Sequence, residues 1–366
     1  MLGLKFFVGP LATACLIAHS FKEAHADIKI GLAGPGGWSV QVKGAEKAIQ
    51  AIETSGGLLG QELTVVSLDD QCSAEMAVLV ARQMVELGVD VVMGHVCSGA
   101  SIAASAVYED AKILMISCCS TSPQLTEQGQ SYIFRVAGRD DHQARMAGDY
   151  VADNLPGQRI AILDNGQAFR RKLIEEIQIQ LRKRGQKQLL YIDYEAGERD
   201  YHDVIERLEE FQPDVLYVAG RVADTGLIVL QSKERFPHLK VFASDNIANS
   251  DFAAIAGEAS EGVMFTFGMP EAKGSDATKL ISDLTEEIGV EPEGYVFHAY
   301  ASVQAWSEAV RQTGSVDADV VSQALRDNQF STVLGTIGFN EKGDVTGIEP
   351  FYWYVFKSGH YEILKE

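Results

Sequence analysis

The chain has 366 residues, more than one hydrophobic core ordinarily serves, so two domains are expected. Its formal net charge of −20 disfavours nucleic acid and anionic membrane surfaces as partners. No stretch approaches the length of about 20 apolar residues that a membrane span requires.

The first segment reads as an export signal. Lys5 precedes an apolar stretch over residues 6–18, broken by Gly9 and Pro10, and Ala24-His25-Ala26 supplies the small residues a signal peptidase reads. Cleavage after Ala26 is predicted, leaving a chain in the periplasm without a permanent membrane anchor. Cys15, after Ala12-Thr13-Ala14, is the one feature that would suit lipidation instead. Four cysteines remain. In an oxidising compartment Cys72 and Cys97 form a natural disulfide, closing one strand–helix–strand loop and stabilising by about 3–4 kcal/mol on the chain-entropy model. Cys118 and Cys119 are adjacent, and because a bridge between neighbours is strained they are read as two small thiols at a strand end. Nothing near them has the spacing of a zinc site.

In chain order, strand-like runs at 28–33, 63–68, 89–96 and 113–118 alternate with helical patterns at 44–52 and 74–87 and with a helix through 102–108. A further strand covers 132–136. The pattern restarts after Ala137-Gly138-Arg139-Asp140-Asp141-His142, with strands at 159–163, 188–193, 215–219, 241–244 and 262–267 and helices at 169–183, 201–211 and 224–235. Gly268-Met269-Pro270 breaks this series, and helices at 279–288 and 295–313 precede strands at 333–339 and 351–356. Such alternation predicts right-handed crossovers and two doubly wound, mostly parallel α/β lobes. The helices beyond 270 lack the strands for a sheet of their own and are expected to return to the first lobe. The predicted division is residues 1–26 as signal peptide, 27–138 plus 269–348 as lobe 1, and 139–268 plus 349–366 as lobe 2. Three crossings make a hinge, with a ligand cleft between the carboxyl ends of the two sets of strands.

Several enzyme motifs fail on inspection. Gly34-Pro35-Gly36-Gly37 follows the first strand, but Ser39 stands where a dinucleotide fingerprint needs its third glycine. No phosphate loop or Gly-x-Ser-x-Gly elbow occurs, and a disulfide at Cys97 would remove the thiolate that His95 might otherwise activate. Asp140 or Asp141 is read as the cap of the next helix rather than as part of a metal cluster with His142. Asp69-Asp70 is read as a solvated strand end, because adjacent carboxylates on a strand point to opposite faces. No catalytic residue, metal or cofactor is expected.

The stretch Gly94-His95-Val96-Cys97-Ser98-Gly99-Ala100-Ser101 is more informative. A strand stops at a small polar turn and a helix begins, offering unpaired backbone N–H groups, the hydroxyls of Ser98 and Ser101 and the positive end of the helix dipole. That chemistry suits a carboxylate, and it equally suits an ordinary helix cap.

Over essentially its whole mature length the chain resembles the periplasmic branched-chain amino-acid-binding proteins, the Leu/Ile/Val-binding family of type I periplasmic binding fold that serves ABC importers. The resemblance is carried by Gly44-Ala45-Glu46, Asp69-Asp70-Gln71-Cys72, Gly94-His95-Val96-Cys97-Ser98, Tyr108-Glu109-Asp110, Ser120-Thr121-Ser122-Pro123-Gln124-Leu125, Ile255-Ala256-Gly257-Glu258-Ala259 and Glu341-Lys342-Gly343-Asp344. It implies a non-enzymatic receptor, an amino-acid ligand, an inner-membrane permease partner and a monomer. It assigns the ligand carboxylate to Ser98 and Thr121, the α-ammonium to Asp245, and backbone carbonyl contacts to the region of Cys119 and Ser120. Around the ligand side chain it places Trp38, Phe169 and Tyr295. Arg221 stands where the family has a tyrosine, and the resemblance leaves open whether it selects a polar ligand, neutralises Asp245 or points to solvent.

Overall fold

The structure, a computed structural model, describes residues 27–36, 40–166, 168–268, 274–289 and 291–364. The export segment with Cys15, and Trp38, lie outside the described residues, as does the side chain of Phe169. Strands β1 (Ile28–Gly34), β2 (Leu63–Asp69), β3 (Val91–Gly94), β4 (Leu114–Ser117) and β5 (Ile133–Arg135) form an all-parallel sheet in the order β2-β1-β3-β4-β5. Helices α1 (Val40–Thr54), α2 (Ala74–Leu87) and α3 (Ser98–Ala111) make its crossovers. The two faces of this sheet feed different cores. Ile30, Leu32 and Met93 pack with Ala45 and Ile49 of α1, whereas Ala33, Val92 and Met115 pack with Ala77, Val80 and Met84 of α2 and Ala104 of α3. Both faces are buried, as a doubly wound sheet demands.

Helix α4 (Asp140–Asn154) opens the second series: β6 (Ile160–Asp164), α5 (Ala168–Lys183), β7 (Leu189–Asp193), α6 (His202–Phe211), β8 (Val215–Ala219), α7 (Val222–Arg235), β9 (Lys240–Ala243), α8 (Ser250–Ala256) and β10 (Met264–Phe267). Then come α9 (Ser275–Ile288), α10 (Val296–Thr313), α11 (Ala318–Asp327) and a small antiparallel sheet of β11 (Phe330–Thr332), β12 (Gly335–Phe339) and β13 (Val345–Thr346). The tail adds β14 (Tyr352–Lys357) and β15 (His360–Ile363) to the second sheet, whose order is β15-β14-β10-β9-β8-β6-β7, with the two added strands antiparallel. Among the described residues no helix is long and apolar enough to cross a membrane.

Four sequence expectations need correction or addition. Cys72 and Cys97 are bridged as expected, and Cys118 and Cys119 are bridged too rather than free. The chain leaves β4 after Ser117, so these two side chains are not held on opposite faces as strand neighbours would be. Asp69 is exposed, but Asp70 is fully buried and its carboxylate lies 2.6 Å from Nδ1 of His95, so only half of the pair is a solvated strand end. Neither Asp140 nor Asp141 occupies the cap of α4, a position held by Arg139, whose guanidinium binds the Asp141 carboxylate in the first turn. Helix α11 went unread; Asp317 caps it by accepting from Val320 N at 3.2 Å, and Val321, Ala324 and Leu325 bury its apolar face.

A buried cation ties the turn between β12 and β13 to the first sheet. Arg135, the last residue of β5, is 0% exposed; its Nε donates to Asp344 at 2.6 Å and its Nη2 to Thr126 at 2.7 Å. Removing one partner of such a pair leaves an uncompensated buried charge. Arg135→Met is expected to lower unfolding free energy by about 3 kcal/mol or more in urea titration.

His298, in the first turn of α10, is 1% exposed and packs against the rings of Phe267 and Tyr295. Its Nε2–H donates to the carbonyl of Gly268 at 3.0 Å, leaving Nδ1 buried without a partner among the described residues. Burial pushes its pKa down to about 4 from the ordinary 6.5, so the unfolded chain takes up this proton first. Stability is therefore expected to be intact above pH 6.5 and to fall as pH drops from 6.5 through 4, by about 3 kcal/mol in all. In His298→Gln, urea melts should show a flatter pH dependence across that window.

Candidate functional site

The carboxyl ends of β3 and β4 carry a dense hydroxyl network. Gly94 ends β3 at φ 144°, and a Cβ there would meet the carbonyl oxygen of Ala33 at 2.2 Å, so only glycine fits. Behind it, His95 sits between the Asp70 carboxylate at 2.6 Å and the Tyr108 hydroxyl at 3.1 Å, and all three residues are buried. The His95 carbonyl accepts from Ser117 Oγ at 2.7 Å and from Ser101 Oγ at 3.0 Å. Ser101 and Ser120 share a further hydroxyl contact of 2.6 Å. Sequence reasoning saw Ser101 but missed Asp70, Tyr108 and Ser117; the signal available was polar residues at positions where strand and helix patterns require burial.

Ser98 is the first residue of α3 and is 4% exposed. Its Oγ accepts from the backbone N–H of Ser122 at 3.2 Å, which leaves its own proton free to be donated elsewhere. The first-turn N–H groups of α3 have no intrahelical acceptors and lie at the positive end of the helix dipole. The turn carrying Ser120 and Thr121 is thus tied directly to the α3 N-terminus. It is held from below by Arg135, whose Nη1 donates to the carbonyls of Ser120 at 3.2 Å and Ser122 at 2.7 Å. The Ser120 carbonyl therefore already has one donor. Cys119, Ser120 and Thr121 are all buried, on the loop that follows β4.

Beyond the end of β9 Asp245 meets Tyr295, the residue that precedes α10. Asp245 follows β9 in a short 3₁₀ turn and is 7% exposed. Its Oδ2 accepts from the Tyr295 hydroxyl at 2.6 Å, and its Oδ1 accepts from Nε2 of Gln143 at 3.3 Å. Gln143 was not anticipated. The two halves are joined through α4, whose first residue, Asp140, donates its N–H to the carbonyl of Thr121 at 2.9 Å, with Gln143 one turn further along.

Arg221 pairs with Asp224. It occupies the N-terminal cap of α7 with its side chain half exposed, and its Nε and Nη2 lie 3.0 and 3.3 Å from the Asp224 carboxylate. Burial alone would raise the Asp224 pKa, but Arg221 and donors from Gly197 N and the Tyr201 hydroxyl hold it below the usual value. Phe169 lies at the start of α5.

A family model described as "Periplasmic binding protein" matches residues 30–360. A "Leu/Ile/Val-binding protein homolog 1" of Brucella abortus is 33% identical over 371 residues, covering 99% of this chain and 100% of the relative. A "Leucine-, isoleucine-, valine-, threonine-, and alanine-binding protein" of Pseudomonas aeruginosa is 33% identical over 338 residues, covering 90% of each. Among solved structures, the leucine-binding protein LivK of Thermotoga maritima superposes with a TM-score of 0.83 at 25% identity, covering 92% of this chain and 98% of that one. The sheet order, the strand-end hydroxyl turn and the full-length match agree, and the chain belongs to the periplasmic binding proteins, in the Leu/Ile/Val-binding family of type I fold.

Proposed function

We propose that the chain is the solute-binding component of an ABC-type amino-acid importer. It binds a branched-chain or related amino acid between two lobes, residues 27–138 plus 269–348 and 139–268 plus 349–366, that close on a three-segment hinge. The observation that carries this reading is the split polarity of the strand ends. On one side stand hydroxyl and N–H donors at Ser98 and Thr121; on the other stands the Asp245 carboxylate, and α4 links the two. A zwitterionic amino acid presents the complementary pair of charges, and each charge-assisted hydrogen bond contributes about 1.5–3 kcal/mol. Its relatives are solute-binding proteins rather than enzymes. In this reading the export segment is cleaved after Ala26, the mature protein works as a monomer in the periplasm without metal, cofactor or catalytic residue, and its partner is an inner-membrane permease. Closure follows ligand: the first lobe takes the carboxylate and the second adds Asp245.

The Arg221–Asp224 pair bears on the ligand class. Because the guanidinium is engaged by Asp224, it carries no unanswered charge towards a ligand, which favours an aliphatic side chain over an acidic one. Arg221→Gln should leave the ranking among leucine, isoleucine and valine unchanged while lowering stability by about 1–3 kcal/mol, since the Arg221 side chain is half exposed but the Asp224 carboxylate it would leave behind is buried.

Calorimetry of the mature protein, freed of any co-purified ligand by unfolding and refolding, tests the main reading against the twenty amino acids. At least one should bind; no heat from any of them would remove its support. Ser98→Ala and Thr121→Ala are each expected to weaken that binding about tenfold, and Asp245→Ala by about a hundredfold, with melting temperatures close to the parent's. Unchanged affinity in all three would overturn the site.

A further inference from the structure

The resemblance assigns the α-ammonium to Asp245 and puts Tyr295 beside the ligand side chain. The surroundings of Gln143 divide that labour differently.

Gln143 is 0% exposed. Its Nε2 donates to Oδ1 of Asp245 and to the backbone carbonyl of Thr266, each at 3.3 Å. Two acceptors on the same side fix the orientation of the amide, because the reverse orientation would set oxygen against oxygen twice. Oε1 is therefore the other atom. It is buried and has no partner among the described residues, and neither does the nearby Thr266 hydroxyl. A buried acceptor left without a donor is costly in a folded protein and is normally met by a donor of some kind.

Asp245 presents the same demand with a charge. Its two donors, the Gln143 amide and the Tyr295 hydroxyl, are both neutral, and among the described residues no lysine, arginine or histidine pairs with it. Arg221, the cation that the sequence offered as a neutraliser of Asp245, is bound to Asp224. Burial first, and then the charges of Asp245 and Asp140, raise the Tyr295 pKa well above the ordinary phenol value, so this hydroxyl remains a donor at any working pH. A buried carboxylate without a cation and a buried amide oxygen without a donor thus lie side by side. A primary ammonium, with three N–H donors and a positive charge, answers both at once; a hydroxyl has one proton to give and no charge, and a carboxylate answers neither.

We propose that Gln143 is a direct ligand contact, its Oε1 and the Asp245 carboxylate together receiving the ligand's primary ammonium, and that Tyr295 is a positioning residue that holds Asp245 in place rather than part of the side-chain pocket. This rests on the reading of the cleft as an amino-acid site. It also states what the second half of that site selects: a primary amine.

The test compares L-leucine with 4-methylpentanoate, which keeps the side chain and carboxylate and lacks the ammonium. Both are measured by calorimetry, the weaker acid by competition against leucine, on the parent protein, Gln143→Met and Tyr295→Phe. Tyr295→Phe removes a single oxygen and keeps the test alive if the Gln143 variant folds poorly. The expected result is a loss of leucine affinity of about tenfold or more in each variant, with 4-methylpentanoate affinity changed by no more than about twofold. Leucine affinity within about twofold of the parent, or an equal loss for both ligands, would overturn the inference. If the parent protein prefers another amino acid, that acid and its deaminated counterpart replace the pair. A parent protein that binds no amino acid at all would instead strike the proposed function, which separates the two failures.

Discussion

The guanidinium of Arg135 is the constraint on which the rest of the structure depends. It lies fully buried at the end of β5, and its described bonds run to residues outside the strands. Two go to the carbonyls of the Ser120–Ser122 turn, one to Thr126, and one to Asp344, some two hundred residues later. Arg139 adds a second contact to Asp344 at 3.0 Å as the chain enters α4. A loop of serines and threonines has little apolar surface with which to hold itself in place. A charge buried beneath it supplies direction as well as energy, since its fork accepts only one arrangement of carbonyls.

That arrangement determines what the hydroxyl turn can do. Ser98 receives an N–H from Ser122, Thr121 receives one from Asp140, and the α4 turn that follows carries Gln143 to Asp245. The donor-rich and acceptor-rich halves are thus links of one hydrogen-bonded chain. In such a chain each member's orientation depends on its neighbour's, which gives a site geometric precision without a large apolar pocket.

Much of this was legible in the sequence, and what was legible had a repeating physical signal. The β1–β10 strands and most helices announced themselves by alternating apolar runs and helical spacing, down to α10, whose buried face includes Phe297, Ala301 and Trp306. The Ser98 turn could be read because capping chemistry is local. The features that went unread are those whose cause lies far away along the chain. Asp70 looked like a solvated acid because nothing near it in sequence reveals His95 as its partner. Gln143 sits in a helix among other polar residues, and only the arrival of Asp245 and Thr266 makes it special. The direction of Arg221 was open in the sequence, because its pairing with Asp224, three residues further on, depends on how the helix begins. The Cys118–Cys119 bridge was read as two free thiols because a bond between neighbours is strained, whereas the chain has already left β4 after Ser117 and the two are joined.

The return of the tail to the second sheet carries a consequence for how the molecule is made. Strand β14 pairs with β10 across about 90 residues of intervening chain, Met264 opposite Val355. As synthesis proceeds from the N-terminus, β10 emerges long before its neighbour exists, and one edge of the growing sheet stays open throughout. Its residues Phe265 and Phe267 are apolar and fully covered only in the finished fold. Such an edge is a template for pairing with the wrong chain, and the pairing that closes it is among the slowest kinds to form because the loop to be ordered is so long. The last fifteen residues therefore act as the seal on the second half of the molecule, and a chain truncated there would lose its protection against self-association before it lost any residue of the binding site.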